Sequence, residues 1–238
     1  MDGMTGDIGR FLFDASTWVV PVMMAIILHE VAHGYVANML GDPTARLAHR
    51  LTLNPFRHVD RMGTVIVPGL LFLLQAPFLF GWAKPVPVDF RRLRNPRRDM
   101  VLVALAGPGT NLGLAVVAAV GLAVAMPEDG TASLTRFWIV DTLSKLLILN
   151  LVLAVFNMIP LPPLDGGRVA VGLLPAPLAM RLARLERVGL LLLIGLLFLL
   201  PLLGSQIGID LDIFRWVVGV PVGVLRDLLL HMVGIATP

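Results

Sequence analysis

Apolar positions along this chain fall into long blocks, not into the alternating pattern of half-buried strands or the single stripe of soluble helices. The blocks occupy 18–40, 62–80, 101–126, 138–160 and 188–203, and a broken block follows at 213–236. A helix that crosses a bilayer needs about 20 apolar residues. Blocks 18–40, 101–126 and 138–160 reach that length, and the Leu-rich block 188–203 does so if 202–209 extends it. The last block carries Pro221 and the pair Arg226-Asp227, so it either spans or lies in the interface as an amphipathic segment. The pattern predicts an all-α polytopic membrane protein with five to six transmembrane helices.

Block 62–80 departs from simple alternation. The flanking polar stretches 41–61 and 81–100 are both strongly basic, and basic loops favour the cytoplasmic side. Pro68-Gly69 and Pro77 interrupt the block. It is read as a re-entrant or hairpin element that returns to the cytoplasmic face, with an ordinary additional span as the alternative. Irregular backbone at that depth is tolerated only where protein shields it or where it lines a wet cavity.

Composition agrees with the blocks. Of 238 residues, 57% are apolar and only 15% charged, too few charges for a soluble domain of this size. The expected organisation is a single membrane-embedded domain over 1–238, with a core at about 15–190 and C-terminal helices at 188–236. The net charge of +3 comes from basic clusters that each flank an apolar block: Arg46 to Arg61, Lys84 to Arg98, and Arg168 to Arg187. That distribution is the positive-inside signature and argues against nucleic acid as a partner. The first residues are polar and acidic, so no cleavable signal peptide is expected. With the N-terminus outside, helix 18–40 runs inward, 101–126 runs out to an acidic turn at Glu128 and Asp129, and 138–160 returns. Cysteine is absent, so any metal must be held by His, Asp, Glu or water.

One stretch within the first block carries chemistry: His29-Glu30-Val31-Ala32-His33. Histidines four apart lie one turn apart on one helix face and can reach a single zinc ion, while Glu30 beside them can take a proton from a water. Ionisable groups at membrane depth are costly and mark function. A catalytic zinc takes three protein ligands and leaves one position open. Asp165 suits the third place. It follows block 138–160 in Asn157-Met-Ile-Pro160-Leu-Pro-Pro163-Leu-Asp165-Gly166-Gly167, where the prolines stop the helix and the glycines let the chain turn back. Asp141 lies near the outer end of the same block and is better placed to pair with Lys145. Asp60, Asp99, His49 and His58 sit in basic loops and are expected to be solvated or interfacial.

Three elements in this order resemble the site-2 protease family of intramembrane zinc metalloproteases: His29-Glu30-Val31-Ala32-His33-Gly34, Ala106-Gly107-Pro108-Gly109-Thr110-Asn111, and Asn157 through Gly167 with Leu164-Asp165-Gly166 at its centre. The stretch Gly81-Trp82-Ala83-Lys84-Pro85-Val86-Pro87-Val88 is similar to the short, mostly bacterial branch that lacks PDZ and CBS domains. Ala32 departs from the glycine that many members carry there. The resemblance implies one zinc per chain on His29, His33 and Asp165, with Glu30 as general base and then proton donor. It implies a membrane protein substrate with a transmembrane segment, and a bacterial inner-membrane enzyme with its active site toward the cytoplasm. Asn111 matches the polar position of the family's Gly-x-x-x-Asn element. Its role there is either to hold the substrate carbonyl or oxyanion or to pack helices through a buried hydrogen bond. Asn157 is expected to order the Pro-rich loop. Val86-Pro87-Val88 is read as either a short β segment on the cytoplasmic side that holds an unwound substrate by strand addition, or a surface loop. Two other readings use the same residues: an inactive scaffold and a metal transporter of the same fold. No inverted repeat supports transport, and the complete set of ligands and Glu30 argues against an inactive scaffold.

Overall fold

The computed structural model describes residues 2–74, 81–126, 133–206 and 208–236. The regular structure of the described residues is all helical, and they contain no strand. In chain order the α-helices are α1 (Asp2–Met39), α2 (Thr44–Leu47), α3 (Val67–Leu73), α4 (Pro96–Ala125), α5 (Leu134–Asn157), α6 (Asp165–Leu173), α7 (Ala176–Arg184), α8 (Glu186–Ile194), α9 (Leu200–Gln206) and α10 (Val220–Met232). Among the described residues, four stretches are long and apolar enough to cross a membrane: Leu12–Met39, Pro96–Ala125, Leu134–Asn157 and Glu186–Gln206. The last of these is α8 and α9 joined by a π-helical turn at Gly195–Leu199. These four stand against the five to six expected. The broken C-terminal block forms a π-helical turn at Arg215–Gly219 followed by α10.

Block 62–80 begins with a π-helical turn, Arg61–Ile66, started by the Asp60 carboxylate, which accepts from the Met62 and Gly63 amides at 3.0 and 2.7 Å. The apolar helical stretch Arg61–Leu71 is too short to cross a bilayer on its own. Residues 75–80, with Pro77, and the expected acidic turn at Glu128 and Asp129 lie outside the described residues.

The site is positioned by three packed helices, α1, α4 and α5. The face of α4 that meets its neighbours is made of small residues. Gly107, Ala115, Ala118 and Ala119 are buried there, which lets backbones approach closely where lipid supplies no hydrophobic drive. Leu122 of α4 packs with Leu146, Leu147 and Leu151 of α5 and with Val218 and Val222 near the C-terminus, so the last helix closes over the α4–α5 pair. Pro96 opens α4 at a position whose amide has no helical partner, and the buried Asp99 carboxylate accepts from the Asn95 amide at 2.8 Å. Asp99 is thus a helix cap. Asp141 pairs with Lys145 at 2.7 Å, and the Lys145 ammonium also reaches the Thr17 hydroxyl at 2.6 Å and lies over the Trp18 ring. This polar clasp ties α5 to α1 one end away from the His-Glu motif.

The short β segment expected at Val86–Val88 is not formed. Residues 81–89 run without regular structure, anchored through alternate amides: Trp82 donates to Gly63 O at 3.0 Å and Lys84 to His58 O at 2.9 Å. Pro85 and Pro87 lack the N–H that a ladder needs, and the Val86 amide is engaged by a side chain described below.

Candidate metal centre

Helix α1 carries His29 and His33 one turn apart on the face that meets α4. Asp165 arrives from the other side. Helix α5 ends at Asn157, the chain reverses through Met158–Leu164, and Asp165 opens α6. That reversal depends on glycine. A Cβ on Gly166 would sit 2.6 Å from Ile159 O, so only a residue without one lets α6 start against the loop that precedes it.

The three ligand atoms converge. His29 Nε2 and His33 Nε2 are 3.0 Å apart, and each lies 3.2 Å from Asp165 Oδ2. All three residues are buried, at 8%, 8% and 5% exposure, so water does not screen this cluster. Asp165 Oδ2 makes no hydrogen bond of proper geometry.

The opposite edges of both imidazoles decide what this cluster can hold. His33 Nδ1 lies 2.7 Å from Val103 O, an atom that can only accept, so the Nδ1 proton is on His33. His29 Nδ1 lies 2.5 Å from Asn111 Oδ1, which imposes the same tautomer. The Nε2 atoms, which face one another and a carboxylate, are therefore the nitrogens left free to bind a metal. Three lone-pair atoms pointing at one spot repel unless a cation occupies it. The donor set His, His, Asp, each imidazole backed by an outer hydrogen bond, fits zinc. Gly107 completes the cradle, since a Cβ there would lie 2.5 Å from His29 Cε1 and 2.6 Å from His29 Nε2.

Glu30 follows on the next position, and its Oε2 accepts from the Val86 amide at 2.7 Å. Glu30 and His29 line one cavity of about 390 Å³, whose other walls include Ile26, Trp82, Phe156 and Asn157. The cavity is mostly apolar. Asn157 also donates to Leu153 O at 3.0 Å.

The other sequence candidates are placed elsewhere. Asp60 and Asp99 cap helices, Asp141 pairs with Lys145, His49 is exposed, and buried His58 faces Thr52 O at 2.9 Å. Asn111 lies behind His29, fully buried. Its Oδ1 meets His29, and its Nδ2 donates to Ala25 O at 3.1 Å and to Asn150 Oδ1 at 2.7 Å. Sequence reasoning passes over the roles of Val103, Gly107 and Asn150, of which it meets only Gly107, as the glycine of the Gly-x-x-x-Asn element. The available signal for the first two is spacing: Val103, Gly107 and Asn111 recur every four residues on α4, as His29 and His33 do on α1.

Residues 17–202 match the family model described as Peptidase family M50. The chain is 40% identical over 191 residues to "Putative zinc metalloprotease YwhC" of Bacillus subtilis (strain 168), a match that covers 79% of this chain and 82% of that protein. It is 30% identical over 159 residues to "Putative zinc metalloprotease Rip2" of Mycolicibacterium smegmatis, covering 67% of this chain and 56% of that one. The Mycobacterium tuberculosis (strain H37Rv) protein of the same name is 31% identical over 158 residues, again over 56% of its length. No solved structure matches.

Proposed function

The chain belongs to peptidase family M50, the site-2 protease family of zinc metalloproteases, and from that premise we propose that it hydrolyses peptide bonds of membrane-spanning or membrane-associated proteins. The observation that carries this reading is the convergence of three acceptor atoms, from His29, His33 and Asp165, beside a cavity that His29 and Glu30 line.

In this mechanism His29, His33 and Asp165 hold one zinc. Bound there, zinc supplies Lewis-acid polarisation of a carbonyl and lowers the pKa of a water. Glu30 takes the proton from the attacking water and delivers it to the leaving amine. The Val86 amide holds Glu30 Oε2, which keeps the side chain in place and leaves Oε1 to carry the proton. The apolar walls Ile26 and Phe156 exclude bulk water and suit the side chains of a membrane segment. Asn111 serves the reaction by holding His29; a direct hold on the oxyanion would require its amide to leave all three of its present contacts.

The remaining features follow the same reading. The chain acts as a single unit in the bacterial inner membrane, with the cytoplasm on the side of the basic stretches 41–61 and 81–100. The helical stretch beginning at Arg61 is a re-entrant element on that side, supported by its shortness and by the basic loops that flank it.

Co-expression with tagged single-pass membrane proteins tests the assignment. Wild type should release a shortened product. Glu30→Ala should keep zinc and accumulate uncut substrate, and His29→Ala should lose zinc while remaining membrane-inserted. Normal cleavage by the Glu30→Ala variant would refute the mechanism.

A further inference from the structure

The buried amides behind the metal centre carry an inference that rests on the zinc reading above. A chain of hydrogen bonds runs from the backbone of α5 to the imidazole of His29. Asn150 Nδ2 donates to Leu146 O at 2.8 Å. Asn150 Oδ1 accepts from Asn111 Nδ2 at 2.7 Å. Asn111 Oδ1 then meets His29 Nδ1 at 2.5 Å. Asn111 and Asn150 are both fully buried, so no water substitutes for any link.

The order of donors and acceptors has only one solution. Leu146 O and Ala25 O can only accept, so the atoms facing them must be amide nitrogens. That fixes both carboxamides: the Asn150 oxygen faces Asn111, and the Asn111 oxygen faces His29. Facing an oxygen, His29 Nδ1 must carry a proton, so Nε2, which points at Asp165 and His33, is the nitrogen left free for the metal. Asn111 Nδ2 is held in that orientation by two acceptors, Ala25 O at 3.1 Å and, at the shorter distance of 2.7 Å, Asn150 Oδ1. We propose that Asn150 is a positioning residue of the metal centre, which sets the tautomer of His29 through Asn111 and so raises zinc affinity from α5, a helix that supplies no ligand.

Geometry supports a dedicated role over generic packing. Asn111 Nδ2 grips Ala25 O, one turn before His29 on α1, while Oδ1 grips the His29 ring, so one side chain fixes both the backbone and the imidazole of the ligand. His33 needs no such relay, because its Nδ1 meets a backbone carbonyl directly.

Two measurements test this. The first uses the metal-free wild-type chain, with ¹⁵N-labelled histidine, in nanodiscs. His29, assigned by its loss in His29→Gln, should carry a proton on Nδ1; a ring protonated at Nε2 alone would overturn the proposal regardless of how any variant folds. The second is the zinc dissociation constant of purified protein, by competition with a chelator. Asn150→Leu keeps the volume and removes the relay. It should weaken zinc about ten-fold, the lower end of what loss of an outer hydrogen-bond partner costs, with both His29 tautomers populated. Asn150→Asp should stay within about three-fold of wild type, because a carboxyl buried in apolar surroundings stays protonated and keeps the same order of donor and acceptor. Wild-type zinc affinity and a single His29 tautomer in folded Asn150→Leu would refute the relay. Equal weakening by Asn150→Leu and Asn150→Asp would refute it too, since packing alone would then explain both. A chain that binds zinc with these differences yet cuts no peptide bond would contradict the protease reading and leave the relay standing.

Discussion

At the scale of single residues, each imidazole of the centre has an outer partner that explains its placement. Gly107 shows how tight the tolerance is. A methyl group there would press on both imidazoles, so Gly107→Ala should lower zinc affinity and abolish cleavage while the helices remain formed, as circular dichroism and metal content would show. Val86 has an equally local role. Its amide donates to Glu30, and Val86→Pro removes that donor in a segment already restrained by Pro85 and Pro87. A hydrogen bond to a charged group contributes roughly 1.5–3 kcal/mol, so kcat should fall by about ten- to a hundred-fold with zinc content unchanged; loss of zinc instead would mean that the segment supports the ligands. The ligands themselves are legible in sequence because helical periodicity alone puts His29 and His33 on one face. Asp165 is legible because the prolines and glycines around it force a reversal. Asn150 is not legible. An amide in an apolar span demands a partner, but which partner depends on the relative rotation of α4 and α5, which no local pattern encodes.

At the scale of elements, the centre exists because two helices with matched four-residue spacing meet. On α1 the series is Ala25, His29, His33; on α4 it is Val103, Gly107, Asn111. Running in opposite directions, they pair His29 with Asn111 and His33 with Val103, and Gly107 makes room between. Helix α5 packs against α4 through Leu147 and Leu151, both fully buried. Leu151→Ala should destabilise the fold by about 2–5 kcal/mol, as cavities in well-packed cores do, seen as a lower thermal midpoint in detergent with the ligand residues intact. The long apolar blocks make α1, α4 and α5 readable from sequence, since length and hydropathy are sufficient for a spanning helix. The segment 81–89 is harder. Its alternating valines suggest a strand, but Pro85 and Pro87 remove ladder donors and Glu30 takes the amide between them.

At the scale of the whole molecule, the open matter is which surface of the membrane each loop faces. The proposed topology puts 41–61 and 81–100 together on the cytoplasmic side. The absence of native cysteine makes single-cysteine labelling direct. Cysteines introduced at His49 and Arg92 should both react with an impermeant reagent only after the cytoplasmic face is opened; labelling from opposite faces would make the element after Asp60 an ordinary span. Charge bias is visible in sequence as a tendency, whereas the number of crossings depends on how short helices such as Arg61–Leu71 are shielded by their neighbours.

The central claim is that His29, His33 and Asp165 hold a zinc at which Glu30 drives peptide hydrolysis within a membrane-embedded cavity. It is tested most directly by purified chain in lipid nanodiscs with a single-pass substrate in ¹⁸O-labelled water. Wild type should contain one zinc per chain and release a product with ¹⁸O in its new carboxylate; removal of zinc by a chelator should stop the reaction and zinc should restore it. Glu30→Gln should bind the same zinc and release no product. Cleavage that persists in Glu30→Gln, or that continues at the same rate after zinc is removed, would contradict the account.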